Sequence, residues 1–200
     1  MKIAIVTFQG FNELDSFIAA GMLNRMQPHG WEACITSPSE QITSMNGVTV
    51  RAQQPLEFAN QADVVLFGSG VMTRDFANDP ELLARLQLNP ARQLIGAQCS
   101  GTLLMARLGL IDKLPACTDQ RTKPWVEQAG IEVLDAPFHA SGNLATAGGC
   151  LSAQYLASWV MLKRSSETAT REALDYVVPV GEKASYTNKL LDTVRPFISG

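Results

Sequence analysis

The chain has 200 residues, 46% of them hydrophobic and 18% charged, with a net charge of −3 and an isoelectric point near 5.4. This length predicts one compact domain over residues 1–200. The acidic balance gives no electrostatic basis for a nucleic-acid partner, which needs a basic face.

In chain order, "KIAIVTF" reads as a buried first strand rather than a secretory signal, because it has one lysine and too short an apolar run. After Gly10, Asn12 can cap a helix that presents Leu14, Phe17, Ile18 and Met22 on one face and ends at "HG" near Gly30. "WEACITS" predicts a second strand, and "SMNGVTVRA" a turn feeding a third. "ADVVLFG" has no polar alternation, as expected in the middle of a parallel sheet. "DPELLARLQL" predicts a helix with Asp79 as cap and Pro80 at its first position.

"RQLIGAQ" is a further buried strand, followed at once by the helix of "SGTLLMARLGL". "IEVLDAPFHASGNLATAGG" places strands around a Gly-Asn turn, and three helical stretches close the chain. The most apolar of them, "LSAQYLASWVML", is short and broken by Ser and Gln, so it predicts a buried helix and no membrane span. The alternation predicts an α/β three-layer sandwich with a mostly parallel central sheet.

Four cysteines, Cys34, Cys99, Cys117 and Cys150, are widely spaced with no C-x-x-C, and the expected compartment is the reducing cytoplasm. Two histidines, His29 and His139, give a zinc site little to build on, and neither metal nor cofactor is expected. Cys34 inside a strand reads as core packing. Cys150 opens a helix, but the apolar residues after it favour packing as well. Cys117 lies in an irregular stretch that carries no specific expectation.

Cys99 differs from these. It falls in the turn between a buried strand and a helix, with Ala97 before it and Gly101 after it, a thiol version of the nucleophile elbow. Ligands of open parallel sheets bind at the carboxyl ends of strands, which is where this turn lies. Unpaired N–H groups and the helix dipole are expected to favour a thiolate there. The Ser100 amide, with the "GSG" turn of Gly68, Ser69 and Gly70, supplies candidate donors for developing negative charge. "GSG" is not a nucleotide loop, since Thr73 stands where the third glycine of G-x-G-x-x-G belongs.

Taken in order, "KIAIVTFQGFNELD", "ADVVLFGSG", "AQCSG" and "NLATAGG" resemble the ThiJ/PfpI family of the class I glutamine amidotransferase-like superfamily. The resemblance spans most of the chain, and "LDYVVPVGEK" is similar to the isonitrile hydratase-like branch. It implies a flavodoxin-like, class I amidotransferase-like fold and a homodimer. It also implies that Cys99 is the nucleophile and that Asp15 is the acid lying against it. Gly70 and Ser100 would then be the oxyanion and support residues.

Read without the family, Asp15 has two interpretations: a member of a loose capping box with Asn12, or a functional acid. As an acid it must be protonated, since a carboxylate would raise the thiol pKa by like-charge repulsion. The sequence departs from the family at Thr118–Asp119, where many relatives have Thr-His. Asp119 is left as a polar support, and a Cys-His mechanism loses its base.

The function expected is therefore a thiol-dependent reaction on a small molecule, with isonitrile hydration first. Glyoxalase or deglycase chemistry on small aldehydes is an alternative. A third is a redox-sensing stress protein in which an oxidant takes Cys99 to a sulfinate held by Asp15. A ligand-sensing module related to transcription regulators is the remaining reading, weakened by the lack of a basic helix-turn-helix.

Overall fold

The computed structural model describes residues 1–198. Its strands are β1 (Lys2–Val6), β2 (Glu32–Ser37), β3 (Gln41–Thr43), β4 (Thr49–Arg51), β5 (Gln54–Pro55), β6 (Val64–Phe67), β7 (Leu94–Gln98), β8 (Phe138–Ser141) and β9 (Leu144–Ala147). The helices are α1 (Glu13–Leu23), α2 (Phe58–Gln61), α3 (Thr73–Ala77), α4 (Pro80–Ala84), α5 (Gly101–Arg107), α6 (Lys123–Gln128), α7 (Ala153–Arg164), α8 (Glu167–Val177) and α9 (Lys183–Val194).

Seven strands form one sheet in the order β5-β2-β1-β6-β7-β9-β8, parallel except for the β8–β9 pair. That pair turns through Gly142 and Asn143, with Gly142 at φ 58. The "SMNGVTVRA" segment does contain the expected turn and strand. The strand, β4, pairs with β3 in a separate two-stranded ribbon outside the main sheet.

Residues alternate between the sheet's two faces. Ile3, Ile5, Val64 and Leu66 pack with residues of α1, α7, α8 and α9 in one core, while Ala4, Val6, Val65 and Phe67 pack with residues of α2, α5 and α6 in the other. Both faces are covered, so the central strands carry no polar alternation, and the molecule is the expected three-layer α/β sandwich. No helix among the described residues is long and apolar enough to cross a membrane.

Two helices differ from their sequence expectation. In α1 the buried residues are Asp15, Ser16, Ala19, Met22 and Leu23, while Leu14 and Phe17 stay 50% and 38% exposed. The inward face is partly polar because the start of α1 lies where polar partners wait: the Ser16 and Thr7 hydroxyls share a 3.0 Å hydrogen bond. Helix α4 has the predicted Asp79 cap, which accepts from the Leu82 amide at 3.0 Å, but it stops at Ala84. There the Asn60 side chain takes the Arg85 carbonyl and the Gln87 amide, at 2.9 and 2.8 Å, in place of further helix bonds.

Omitting the edge strands, the order β2-β1-β6-β7-β9 is the doubly wound 2-1-3-4-5 arrangement, whose binding crevice opens beyond the strands' carboxyl ends where the winding reverses. Segments leaving β1, β6, β7 and β9 meet at that end of the sheet. They carry Asp15, Ser69, Cys99 and Cys150.

A buried cysteine pair and its acid

Cys99 leaves β7 and enters the turn before α5 with φ 46, the one non-glycine residue at positive φ among those described. A side chain in this left-handed region costs of order 1–3 kcal/mol and persists only where its surroundings fix it. The fixing bonds are visible: the Cys99 amide donates to the Ala147 carbonyl at 2.8 Å, and Thr118 Oγ1 donates to the Cys99 carbonyl at 2.7 Å. Gly101 completes the elbow, since a Cβ there would lie 2.5 Å from the Gly68 carbonyl oxygen.

Asp15 faces this elbow from the first turn of α1 and is 2% exposed. Ser69 Oγ donates to its Oδ2, while Oδ1 is buried without a hydrogen-bond partner. An Asp15 oxygen, Cys99 Sγ and Cys150 Sγ all lie within 4.8 Å of one another. Burial pushes the Asp15 carboxyl above its ordinary range, against the lowering effect of the Ser69 hydroxyl and the two thiols. The direction is the one a neutral, proton-donating acid requires. Asn12 Oδ1 accepts from the Leu14 amide at 3.2 Å, so Asn12 is the cap and Asp15 is left to the site.

The thiol departs from expectation. Cys99 is 3% exposed, and burial first, then the nearby Asp15 and Cys150, push its ionisation far above the ordinary value of 9.0. A helix start contributes up to about 2 kcal/mol in a partly buried setting, little more than the roughly 1.4 kcal/mol of one pKa unit. Desolvation therefore works against the helix start and favours the thiol over the expected thiolate.

Cys150 belongs to the site and not to the packing that sequence reading assigned it. It is partly exposed, follows β9 through Gly148 and Gly149, and accepts a hydrogen bond from Asn12 Nδ2 at 3.0 Å. Burial and the Asp15 carboxyl raise its ionisation, while Asn12 lowers it. Gln98 Nε2 reaches the Gly149 and Cys150 carbonyls, at 2.8 and 3.3 Å, and lies 3.9 Å from Cys99 Sγ. The signal for Cys150 was its position: it follows a strand adjacent to β7, with Gln98 paired to Ala147, and the sequence did not give that adjacency.

Gly70 and Ser100 come together as expected, but they satisfy each other. The Gly70 amide donates to Ser100 Oγ at 3.2 Å, and Ser100 Oγ donates to Thr73 Oγ1 at 2.9 Å. Glycine is required at position 70 because a Cβ would lie 2.3 Å from the Gly10 carbonyl oxygen. Asp119 accepts from the Arg121 and Thr122 amides and the Thr122 hydroxyl, at 2.9, 3.0 and 2.6 Å. It caps the turn before α6 and reaches the thiols only through its field. His139 stacks edge-on against Phe197, 5.2 Å between centroids, on β8.

Two sulfurs and a carboxyl are a donor set that a soft divalent ion such as zinc accepts, provided that all three groups give up their protons. Burial raises the ionisation of all three groups, which favours their protonated forms over that donor set.

A flavodoxin-like sheet with a cysteine in a strand-to-helix elbow, set against a buried acid, defines a cysteine-centred α/β protein. The chain belongs to the DJ-1/PfpI family, whose model matches residues 1–163. Among solved structures it is similar to Schizosaccharomyces pombe DJ-1, at 18% identity and TM-score 0.77 over 90% of this chain and 100% of that one. A THiJ/PfpI family protein from Pseudomonas syringae matches at 17% identity and TM-score 0.77, over 99% and 89% of the two chains. Drosophila melanogaster DJ-1beta matches at 18% and 0.77, over 88% and 96%. At these identities the likeness is one of fold. No curated protein matches the chain.

Proposed function

We propose that the protein is a cytoplasmic enzyme that adds water to a small neutral isonitrile, with Cys99 as nucleophile and Asp15 as proton carrier. The observation behind this reading is the buried Asp15 carboxyl within 4.8 Å of Cys99 Sγ, its proton held more tightly than usual by burial. A site that disfavours charge suits an addition in which no free ion forms.

In the proposed reaction Cys99 sulfur bonds to the terminal isonitrile carbon. Asp15 gives that carbon a proton and receives the thiol's, leaving a thioformimidate. Water adds to the C=N carbon, the C–S bond breaks, and sulfur regains its proton as an N-substituted formamide departs. Gly70 and Ser100 hold the β6 turn against the elbow, and the Ser100 amide, at the N-cap of α5, is the proposed donor to charge developing during hydrolysis. An open cavity of about 510 Å³, lined by Thr118, Asp119, Gly148 and Gly149 among others, lies beside the segment that leads from β9 to Cys150.

The test is conversion of cyclohexyl isonitrile to its formamide. Loss in both Cys99→Ser and Asp15→Asn supports the assignment, and undiminished conversion in either one overturns it. The family resemblance further suggests a homodimer, and exposed Leu14, Phe17 and Leu151 lie on the segments that carry Asp15 and Cys150.

A further inference from the structure

Among the described residues, the site's cluster of nucleophilic side chains holds a second thiol, Cys150, that the hydration scheme leaves unused. We infer that Cys150 and Cys99 form a reversible disulfide, in which Cys150 is the sulfur that first meets a hydroperoxide and Cys99 resolves it. The inference does not depend on isonitrile turnover.

Three observations carry it. The sulfurs lie within 4.8 Å of each other, on turns following two hydrogen-bonded strands. Their environments differ in the sense that a two-step oxidation needs. Cys150 is partly exposed, and Asn12 Nδ2 donates to its sulfur at 3.0 Å, which stabilises the attacking thiolate. Cys99 is 3% exposed and has no such donor at that distance, since Gln98 Nε2 is 3.9 Å away. Finally, Asp15, with its buried and unpartnered Oδ1, sits against both sulfurs and can move a proton between them.

In the first step Cys150 sulfur attacks the peroxide oxygen. The O–O bond breaks, an S–O bond forms, and the alcohol (water, for hydrogen peroxide) leaves with the thiol proton. Cys99 sulfur then attacks the Cys150 sulfenic acid. An S–S bond replaces the S–O bond, Asp15 takes the Cys99 proton, and it returns one to the departing hydroxide as water. Two thiols lose two electrons together, and one peroxide gains them. The sulfurs must close to about 2.0 Å, which calls for rotation of the Cys150 side chain at the Gly149 turn. Cys34 and Cys117 are 2% and 0% exposed in the core and do not compete.

The experiment treats the reduced full chain with stoichiometric hydrogen peroxide, blocks free thiols with N-ethylmaleimide, and maps peptides without reductant. The expected result is a Cys99 peptide joined to a Cys150 peptide, with two of the four thiols lost and dithiothreitol restoring both. In Cys99→Ser, Cys150 should instead stop at sulfenic acid with one equivalent of peroxide and advance to sulfinic acid with a second, and in Cys150→Ser, Cys99 should stay reduced. A Cys99 sulfinate beside an alkylated Cys150 in the unmodified chain overturns the inference, as does a peroxide-inert pair. The unmodified chain alone decides, even if a variant fails to fold. Isonitrile conversion by the reduced protein is scored separately, so failure of either reading is distinguishable.

Discussion

Asn12 Nδ2 donates to Cys150 Sγ at 3.0 Å across 138 positions of sequence, while Asn12 Oδ1 caps α1. One side chain thus fixes the start of the helix that carries Asp15 and, through its other atom, tunes the outer thiol. The two roles can be separated by substitution. Asn12→Ala should lose about 0.5–2 kcal/mol of stability with the cap and slow alkylation of Cys150. Asn12→Asp should keep the cap's stability yet slow alkylation too, because a carboxylate replaces the donor beside sulfur. Denaturant midpoints and iodoacetamide rates for each protein measure the pair of effects.

Thiol reactivity should itself report the burial order. Both sulfurs ionise above the ordinary 9.0, Cys99 by much more than an exposed thiol would. Alkylation of Cys150 at neutral pH is therefore expected to run slower than that of free cysteine, and Cys99 slower again, each rate rising with pH. A Cys99 that reacts fastest at neutral pH would contradict this ordering.

Asp15 gives a pH dependence with a definite sign. Its carboxyl is raised above the ordinary 3.8 by burial, so between 3.8 and its folded value the native state binds more protons than the unfolded state. Stability contributed by this group is full below 3.8 and falls as pH rises through that window. Asp15→Asn removes the titrating group, so it should stabilise the protein at neutral pH relative to the unmodified chain, with the advantage fading in acid. Urea unfolding at several pH values checks the crossover, and isonitrile assays on the same samples should show lost conversion.

Gly70→Ala tests the close approach of two backbones. Its Cβ would meet Gly10 O at 2.3 Å and Phe11 Cα at 2.7 Å, both main-chain atoms that cannot rotate aside. An overpacking cost of about 1–3 kcal/mol is expected, read as a lower midpoint in urea. Ser100→Ala leaves the part-buried Gly70 amide without its acceptor and should cost about 0.5–1.5 kcal/mol.

If the exposed face of α1 pairs two copies, Leu14→Glu with Phe17→Glu should halve the sedimenting mass from twice 21.7 kDa to once. A sedimenting mass that these charges leave unchanged removes that face from the interface.

The sequence made the sheet legible because Ile3 and Ile5 alternate with Ala4 and Val6 between two cores that both need filling. Cys99 was legible because a reactive side chain between a strand and a helix start has few structural uses. The inward face of α1 was not, since Asp15 and Ser16 are buried by partners just after β1 and after β6 that no local period encodes. Cys150 was missed for the same reason. Its meaning comes from β9 lying beside β7, a relation of sheet order rather than of neighbouring residues.

That strand adjacency reaches beyond this one molecule. Adjoining strands lie about 4.8 Å apart, so side chains released past the same ends of two hydrogen-bonded strands begin within one rung of each other. The β-ladder acts as a ruler that no loop has to supply. A designer wanting a matched pair of reactive groups could graft them onto the exit turns of any two flush parallel strands and leave the rest of the scaffold untouched.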